Sequence, residues 1–179
     1  MLDIKFNKLE AGAKVPDQKT IGSTGFDLYP SKMYRLKNGR NAVPLGFSTS
    51  FPNEISIHIQ PKSGQSLNGL KVIFVYGDGR IAEGTIDADV HIGVIDSDYR
   101  GQWNVTLRVH EPLPEDALVF VHHKNAIAQA IIHHNIEASF TLTDTLDETE
   151  RGDRGFGKVD EDEAESDDVN KYYQHFDPS

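Results

Sequence analysis

The sequence predicts an all-β fold. Apolar and polar residues alternate with period two wherever a pattern can be read, turn-forming residues recur between those runs, and no stretch of helical length carries a sustained 3.6-residue apolar period. Ile55-Ser-Ile57-His-Ile59-Gln60 and Trp103-Asn-Val105-Thr-Leu107-Arg-Val109-His110 each place apolar side chains on one face and polar ones on the other, as half-buried strands do. Val72 to Tyr76, Leu118 to Val121 and Ala126 to Ile132 are more continuously apolar, which predicts strands covered on both faces. Turn signals separate these runs: Lys37-Asn-Gly39, Pro52-Asn53, Gly77-Asp-Gly79 and Glu111-Pro-Leu-Pro114. Lys71 to Val90 reads as strand, Gly-Asp-Gly turn and strand, an inserted hairpin spanning about residues 71–90. The whole pattern describes an all-β barrel or double sheet.

Composition narrows the class of function. A chain of 179 residues suits one domain or one subunit of an oligomer. With no cysteine it has neither a disulfide framework nor a thiolate metal site, and no N-terminal apolar run resembles a signal peptide or a membrane span. The expectation is a soluble protein of the cytoplasm, or of a host cytoplasm if the source is viral. A formal charge of −10 argues against a nucleic-acid binder, which needs a basic face to displace counterions. The acids are concentrated, however: Asp160 to Asp168 reads DEDEAESDD, seven acids in nine residues. The body, residues 1–157, is therefore only mildly acidic and can hold a small anion through local cations, while residues 158–179 form an acidic tail.

Five short phrases put small, flexible or charged groups where such an anion could sit. They are Ser23-Thr-Gly25-Phe-Asp27-Leu-Tyr29, Pro61-Lys-Ser63-Gly64, Gly93-Val-Ile-Asp96-Ser-Asp-Tyr99-Arg-Gly101, Ala126-Ile-Ala-Gln129 and Arg151-Gly-Asp-Arg-Gly155-Phe156-Gly157. The last has three glycines in seven residues, so backbone amides can approach phosphate oxygens while Arg151 supplies charge; a solvated linker would look the same. Pro61 to Gly64 follows an alternating strand, which places Ser63 at a strand end, in a phosphate-binding turn or a plain β-turn. The third phrase is partly duplicated: Gly84-Thr-Ile86-Asp87-Ala-Asp89 echoes Gly93-Val-Ile95-Asp96-Ser-Asp98, and only the second copy continues into Tyr99-Arg100-Gly101.

In this order, over roughly Ile4 to Gly157, the five phrases resemble the five motifs of the trimeric dUTP diphosphatase family, the dUTPases. The resemblance implies a distorted jelly-roll subunit of a homotrimer with shared active sites, hydrolysis of dUTP to dUMP and pyrophosphate, and Mg²⁺ bound largely through the triphosphate. It implies that Asp96 is the general base that deprotonates a water attacking the α-phosphorus, and that Tyr99 packs against the deoxyribose; Asp87, with Val90 where that tyrosine belongs, is then outside the catalytic phrase. Lys62, Ser63, Gly64, Gln65 and Gln129 inherit phosphate-side contacts. Arg151, Phe156, Gly157 and Lys158 inherit those of an arm that closes over another subunit's site, the Phe stacked on uracil. Asp27 belongs either near the metal-triphosphate complex, contacting the ion through water, or to the ion pairing that supports the site.

The chain departs from the family pattern in three places. Lys62 stands where relatives usually have Arg, which loses the bidentate fork but keeps the charge. Lys124-Asn125-Ala126 replaces Gly-Asp-Arg or Gly-Asp-Lys, and Lys158-Val-Asp160 replaces Ser-Thr-Gly or Ser-Ser-Gly. These departures keep two alternatives in view. One is a catalytically weak binding or regulatory protein whose hairpin or tail takes a protein partner. The other is a dCTP-deaminase-like enzyme, disfavoured because Trp103 to Leu107 lacks the acid such an enzyme carries there. The pairs His122-His123 and His133-His134 read as surface or interface residues, because adjacent side chains in a strand point to opposite faces.

Overall fold

Extended segments dominate residues 2–155, the part of the chain that the computed structural model describes. In chain order the elements are β1 (Lys5–Lys8), β2 (Phe26–Leu28), β3 (Tyr34–Arg35), β4 (Gly39–Pro44), β5 (Phe47–Ser50), β6 (Ile55–Gln60), α1 (Ser63–Asn68), β7 (Leu70–Tyr76), β8 (Ile81–Ile86), β9 (Ala88–Val90), β10 (Gly93–Ile95), β11 (Asn104–Val109), β12 (Ala117–Val121) and β13 (Ala128–His134). They assort into four antiparallel sheets, ordered β1-β5, β10-β6-β13-β2, β4-β11-β9 and β3-β12-β7-β8. The chain divides into two compact units at Glu137/Ala138. All these elements belong to the first. The expected boundary between Gly157 and Lys158, and the acidic tail beyond it, lie outside the described residues.

The alternation in the sequence becomes burial. On β11, Val105, Leu107 and Val109 are buried while Asn104 and Arg108 face solvent; on β6, Ile55, Ile57 and Ile59 enter the same core. Burying a side chain of that size is worth roughly 1.5–3 kcal/mol, so each strand's apolar face commits it to the core. Trp103 is the largest fully buried side chain, with its ring 5.0 Å from that of Phe47, and Phe47 in turn stands 4.7 Å from Phe6. The backbone locks this cluster, since Trp103 donates to the Phe47 carbonyl (2.9 Å) and accepts from Leu45 (3.0 Å).

Two expectations need correction. Leu118–Val121 and Val72–Tyr76 are not covered on both faces: Val119 and Val121 are buried but Leu118 is 41% exposed, and beyond Val72 strand β7 is only half-buried. Their sheet packs one face on the core, and its outer strand β8 is largely in solvent. The hairpin also ends sooner than Val90. Strands β7 and β8 pair from Leu70↔Ile86 to Val75↔Ile81, and Ala88–Val90 instead joins β11. The second unit carries no strand or helix among its described residues; Arg151 there donates through Nε to the Arg154 carbonyl (2.9 Å) around a turn at Gly152.

Removing the aromatic anchor is the direct test of this core. Trp103→Ala is expected to lower the unfolding free energy by about 3–5 kcal/mol in urea titrations; a loss under about 1 kcal/mol would show that the Phe6–Phe47–Trp103 cluster is not the keystone of the first unit.

Candidate active site

Strand β6 runs out at Gln60, and Pro61, which has no amide to donate, ends the ladder there. Lys62 then turns the chain into α1: its carbonyl accepts from Gln65 (2.9 Å) and Ser66 (3.0 Å). Ser63 and Gly64 thus open a short helix, both exposed, rather than a plain turn or strand end. Six residues are too few for a 3.6-residue period to be read, which is why the sequence did not disclose this helix.

Behind α1 lies a buried charge. Asp27 on β2 is 3% exposed, and its Oδ1 accepts from Lys62 Nζ, whose side chain is itself only 25% exposed. The second oxygen accepts no hydrogen bond but faces Lys19 Nζ at 3.4 Å. A carboxylate in this position would be strongly destabilising without such partners. Of the two roles open to Asp27, the structure displays the ion pair: both oxygens are occupied by lysines. Lys19 also donates to the Tyr29 hydroxyl (3.2 Å); that hydroxyl first, then Asp27, holds its ammonium above the usual lysine range. Burial raises the Tyr29 phenol, against the lowering effect of Lys19.

These groups border a cavity of about 440 Å³. Its wall combines Lys19, Asp27 and Tyr29 from around β2 with Lys62, Gly64 and Gln65 from α1, Lys71 from β7 and Lys124 from the turn before β13. Gln129 is one step away: it pairs with Asp27 across β13–β2 and with Gln60 across β13–β6, and its Nε2 donates to the Pro61 carbonyl (2.8 Å). Gly25 makes room for it, because a Cβ there would stand 2.8 Å from the Gln129 Cδ. Three of the five phrases, far apart in sequence, therefore converge on one lysine-lined pocket.

The third phrase forms a separate feature. Strand β10 pairs with β6 on the edge away from β13, with Ile95 opposite Ile57, and leads to a tight turn in which Tyr99 N–H donates to the Asp96 carbonyl (3.1 Å). Both side chains reach solvent and border a second hollow of about 240 Å³ with Val94, Gln102 and Asn104. The Tyr99 hydroxyl donates to the Gln102 carbonyl (3.0 Å), one residue before Trp103 enters the core. No residue is common to the walls of the two hollows. The Asp96 turn lies toward the Ile55 end of β6, since Ile95 is opposite Ile57, and the lysine pocket lies past its other end at Gln60.

Other expected residues lie elsewhere. Asp87 follows β8, its carbonyl accepts from His110 (3.1 Å), and it borders a hollow with the 111–114 loop instead of the Asp96 turn. Arg151 belongs to the second unit, and Phe156, Gly157 and Lys158 lie outside the described residues. The rings of His122 and His123 stack at 4.3 Å instead of diverging, because β12 has ended at Val121 and the two occupy a turn. His133 stacks on His58 at 3.9 Å across β13–β6, with His134 directed elsewhere, onto the Asn135 carbonyl. Sequence reasoning did not single out Lys19 or Lys71 as site residues; lysines carry no periodic signal, and only folding brings these two to the pocket beside α1.

The first unit is thus an all-β protein with a buried aspartate–lysine pair, an anion pocket and an exposed Asp-Tyr turn. A dUTPase family model matches residues 79–159. The chain is 32% identical over 158 residues to the deoxyuridine 5'-triphosphate nucleotidohydrolase of Helicobacter hepaticus, covering 87% of each. Among solved structures it is similar to a mutant dUTPase of Staphylococcus bacteriophage 80alpha with dUpNHpp, at TM-score 0.67 and 14% identity over 87% of this chain and 96% of that one. It is also similar to a mutant dUTPase of phage phi11 of S. aureus, described for its coordination of a structural Mg(II) ion, at TM-score 0.65 and 12% identity over 82% and 99%. The chain belongs to the dUTPase family and is a nucleotide hydrolase of that class.

Two substitutions probe the pocket. Lys62→Met leaves buried Asp27 with Lys19 alone and is expected to destabilise the fold by about 3 kcal/mol, with Asp27→Asn in the same chain recovering part of the loss in thermal unfolding. Gly25→Ala should push Gln129 off the Pro61 carbonyl and lower stability by about 1–3 kcal/mol; an unchanged melting temperature would mean that Gln129 is not held there.

Proposed function

We propose that the protein hydrolyses dUTP to dUMP and pyrophosphate, with Asp96 as the general base and with active sites shared between copies of a homotrimer. The observation that carries the assignment of the base is the Asp96–Tyr99 turn: carboxylate and phenol are both exposed and border one hollow, a placement that supports attack beside a sugar. In this reading Asp96 takes a proton from water as the oxygen attacks the α-phosphorus in line, and the pyrophosphate leaves with the electron pair of the broken P–O bond. Tyr99 lies against the deoxyribose. Lys62, Ser63, Gly64, Gln65 and Gln129 hold the phosphate chain, and Arg151, Phe156, Gly157 and Lys158 supply the closing arm.

Sharing of sites follows from the separation of the two hollows. In one chain the lysine pocket and the Asp96 turn lie toward opposite ends of β6, and a nucleotide seated in one copy's pocket can meet the turn of a neighbour.

The described residues include no cluster of three or more His, Asp or Glu side chains fit to hold a metal, and Asp27, the expected water-mediated contact, is engaged by Lys62 and Lys19. In this proposal Mg²⁺ would come with the substrate, held largely by its triphosphate and by water, and would supply neutralisation of charge on the phosphate oxygens.

The test is pyrophosphate release from Mg-dUTP by the parent, Asp96→Asn and Asp87→Asn proteins. The Asp96 variant is expected to lose on the order of 10²–10⁴-fold in kcat while Asp87→Asn stays within about threefold of the parent. The reverse ranking would assign the catalytic phrase to the first copy, and an inert parent would remove the proposed reaction.

A further inference from the structure

The pocket carries more positive charge than its own structure uses. Four lysines, Lys19, Lys62, Lys71 and Lys124, face it with one carboxylate, Asp27. Lys62 and Lys19 both converge on that carboxylate, so neither is a free cation. Lys71 and Lys124 have no carboxylate within 4.0 Å among the described residues. Clustered cations repel one another unless an anion lies between them, and a chain of net charge −10 has no general need to gather them here.

Both of these lysines stand on segments fastened to α1, one at Gly69 past its end and the other through Gln65. Lys71 is directly opposite Thr85 in the β7–β8 ladder, so the two side chains share the face that borders the pocket. The hairpin is held against the helix end at Gly69, whose φ of +81° is left-handed and whose missing Cβ would come 2.9 Å from the Ile86 carbonyl oxygen. Lys124 sits in a turn closed on His122, with Lys124 N–H donating to Nδ1 (3.0 Å) and Asn125 N–H to the carbonyl (2.9 Å). That turn is tied to the helix where Gln65 Nε2 donates to the Ala126 carbonyl (2.9 Å).

We infer that Lys71 of the hairpin and Lys124 of the β12–β13 turn, which line one pocket with α1, are phosphate-binding residues of this chain that grip the oligophosphate end of the substrate. They take over the charge that Lys62 gives to Asp27. This also assigns a task to the hairpin: it brings Lys71 to the pocket, a position that none of the five phrases contains. The inference rests on the proposed reaction only for the identity of the anion; an anion of several charges is what a pocket lined by two cations without a carboxylate partner, beside two that share one, would take.

The experiment has two arms, on the full chain, with Lys71→Gln, Lys124→Gln, the double variant and the corresponding Arg variants. Calorimetric titration with inorganic tripolyphosphate reads the pocket alone, and steady-state hydrolysis of Mg-dUTP reads the reaction. The double Gln variant is expected to bind tripolyphosphate about tenfold more weakly and to show a similar rise in KM with kcat within about twofold, each weakening with added salt in the parent and less so in the variant. Arg variants should restore both. Tripolyphosphate affinity unchanged in the double variant would overturn the inference, as would a lowered oligomer stability with unchanged affinity, which would make these lysines contacts between copies. If the parent fails to hydrolyse dUTP but binds tripolyphosphate through these lysines, the proposed reaction falls and this inference stands; if the parent is active and the variants match it in both arms, the reverse holds. Because both lysines are surface groups, each single variant should keep the parent melting temperature, and the singles decide the matter should the double variant fold poorly.

Discussion

The site depends on the pairing of β6 with two neighbours at once. On one edge it holds β10 with Ile95 opposite Ile57, and on the other β13 with Gln129 opposite Gln60. Its buried face of three isoleucines sets the register, since a slip of one residue would turn Ile55, Ile57 and Ile59 out of the core and bring Ser56, His58 and Gln60 in. With that register set, the positions of the Asp96 turn, of Gln129 and of the start of α1 follow together. A change in the β6 core would therefore disturb chemistry at both of its edges.

Charge is arranged around the same strand. A buried carboxylate beside an anion pocket looks contradictory, because it subtracts from the positive field that the ligand needs. Asp27 resolves this by holding Lys62 in place at the strand end, where an unanchored lysine would sample many rotamers. The consequence is a lysine that is ordered but partly neutralised, and a pocket whose free charge comes from Lys71 and Lys124. Arginine, with its two-pronged fork, could face a carboxylate and a phosphate together. A lysine in that position has three donors but one compact charge, which it divides between the carboxylate and a phosphate, and this makes the extra lysines physically coherent with the replacement.

Much of this was legible in the residues. Strict alternation in Trp103–His110 reports a strand with one wet face because side chains alternate across a sheet, whereas the polar face expected of Ile55–Gln60 is covered too, with Ser56 buried and His58 and Gln60 half-buried. The Asp96–Tyr99 spacing stood out from its echo at Asp87, and the structure sets the two on different supports, one on the β10 turn and one at the end of the hairpin. What could not be read were features without a local signature. Continuous apolar runs such as Val72–Tyr76 look the same whether a second layer covers them or solvent does. Helix α1 is shorter than two turns, and the stacking of His122 on His123 depends on where β12 stops.

By itself the sequence determined the all-β class and the order of the five phrases, because periodicity and spacing are properties of neighbouring residues; Asp96 as general base is what the resemblance of its phrase to the dUTPase motif implies. Tertiary structure decided which charges meet. Lys19, Asp27, Lys62, Lys71 and Lys124 span more than half of the chain, and whether an ammonium is paired with a carboxylate or left for a ligand is a matter of a few ångströms between distant segments. Electrostatic energy falls with distance in space, not along the chain, so no pattern of neighbours could have divided these lysines into those that hold the protein and those that face the anion.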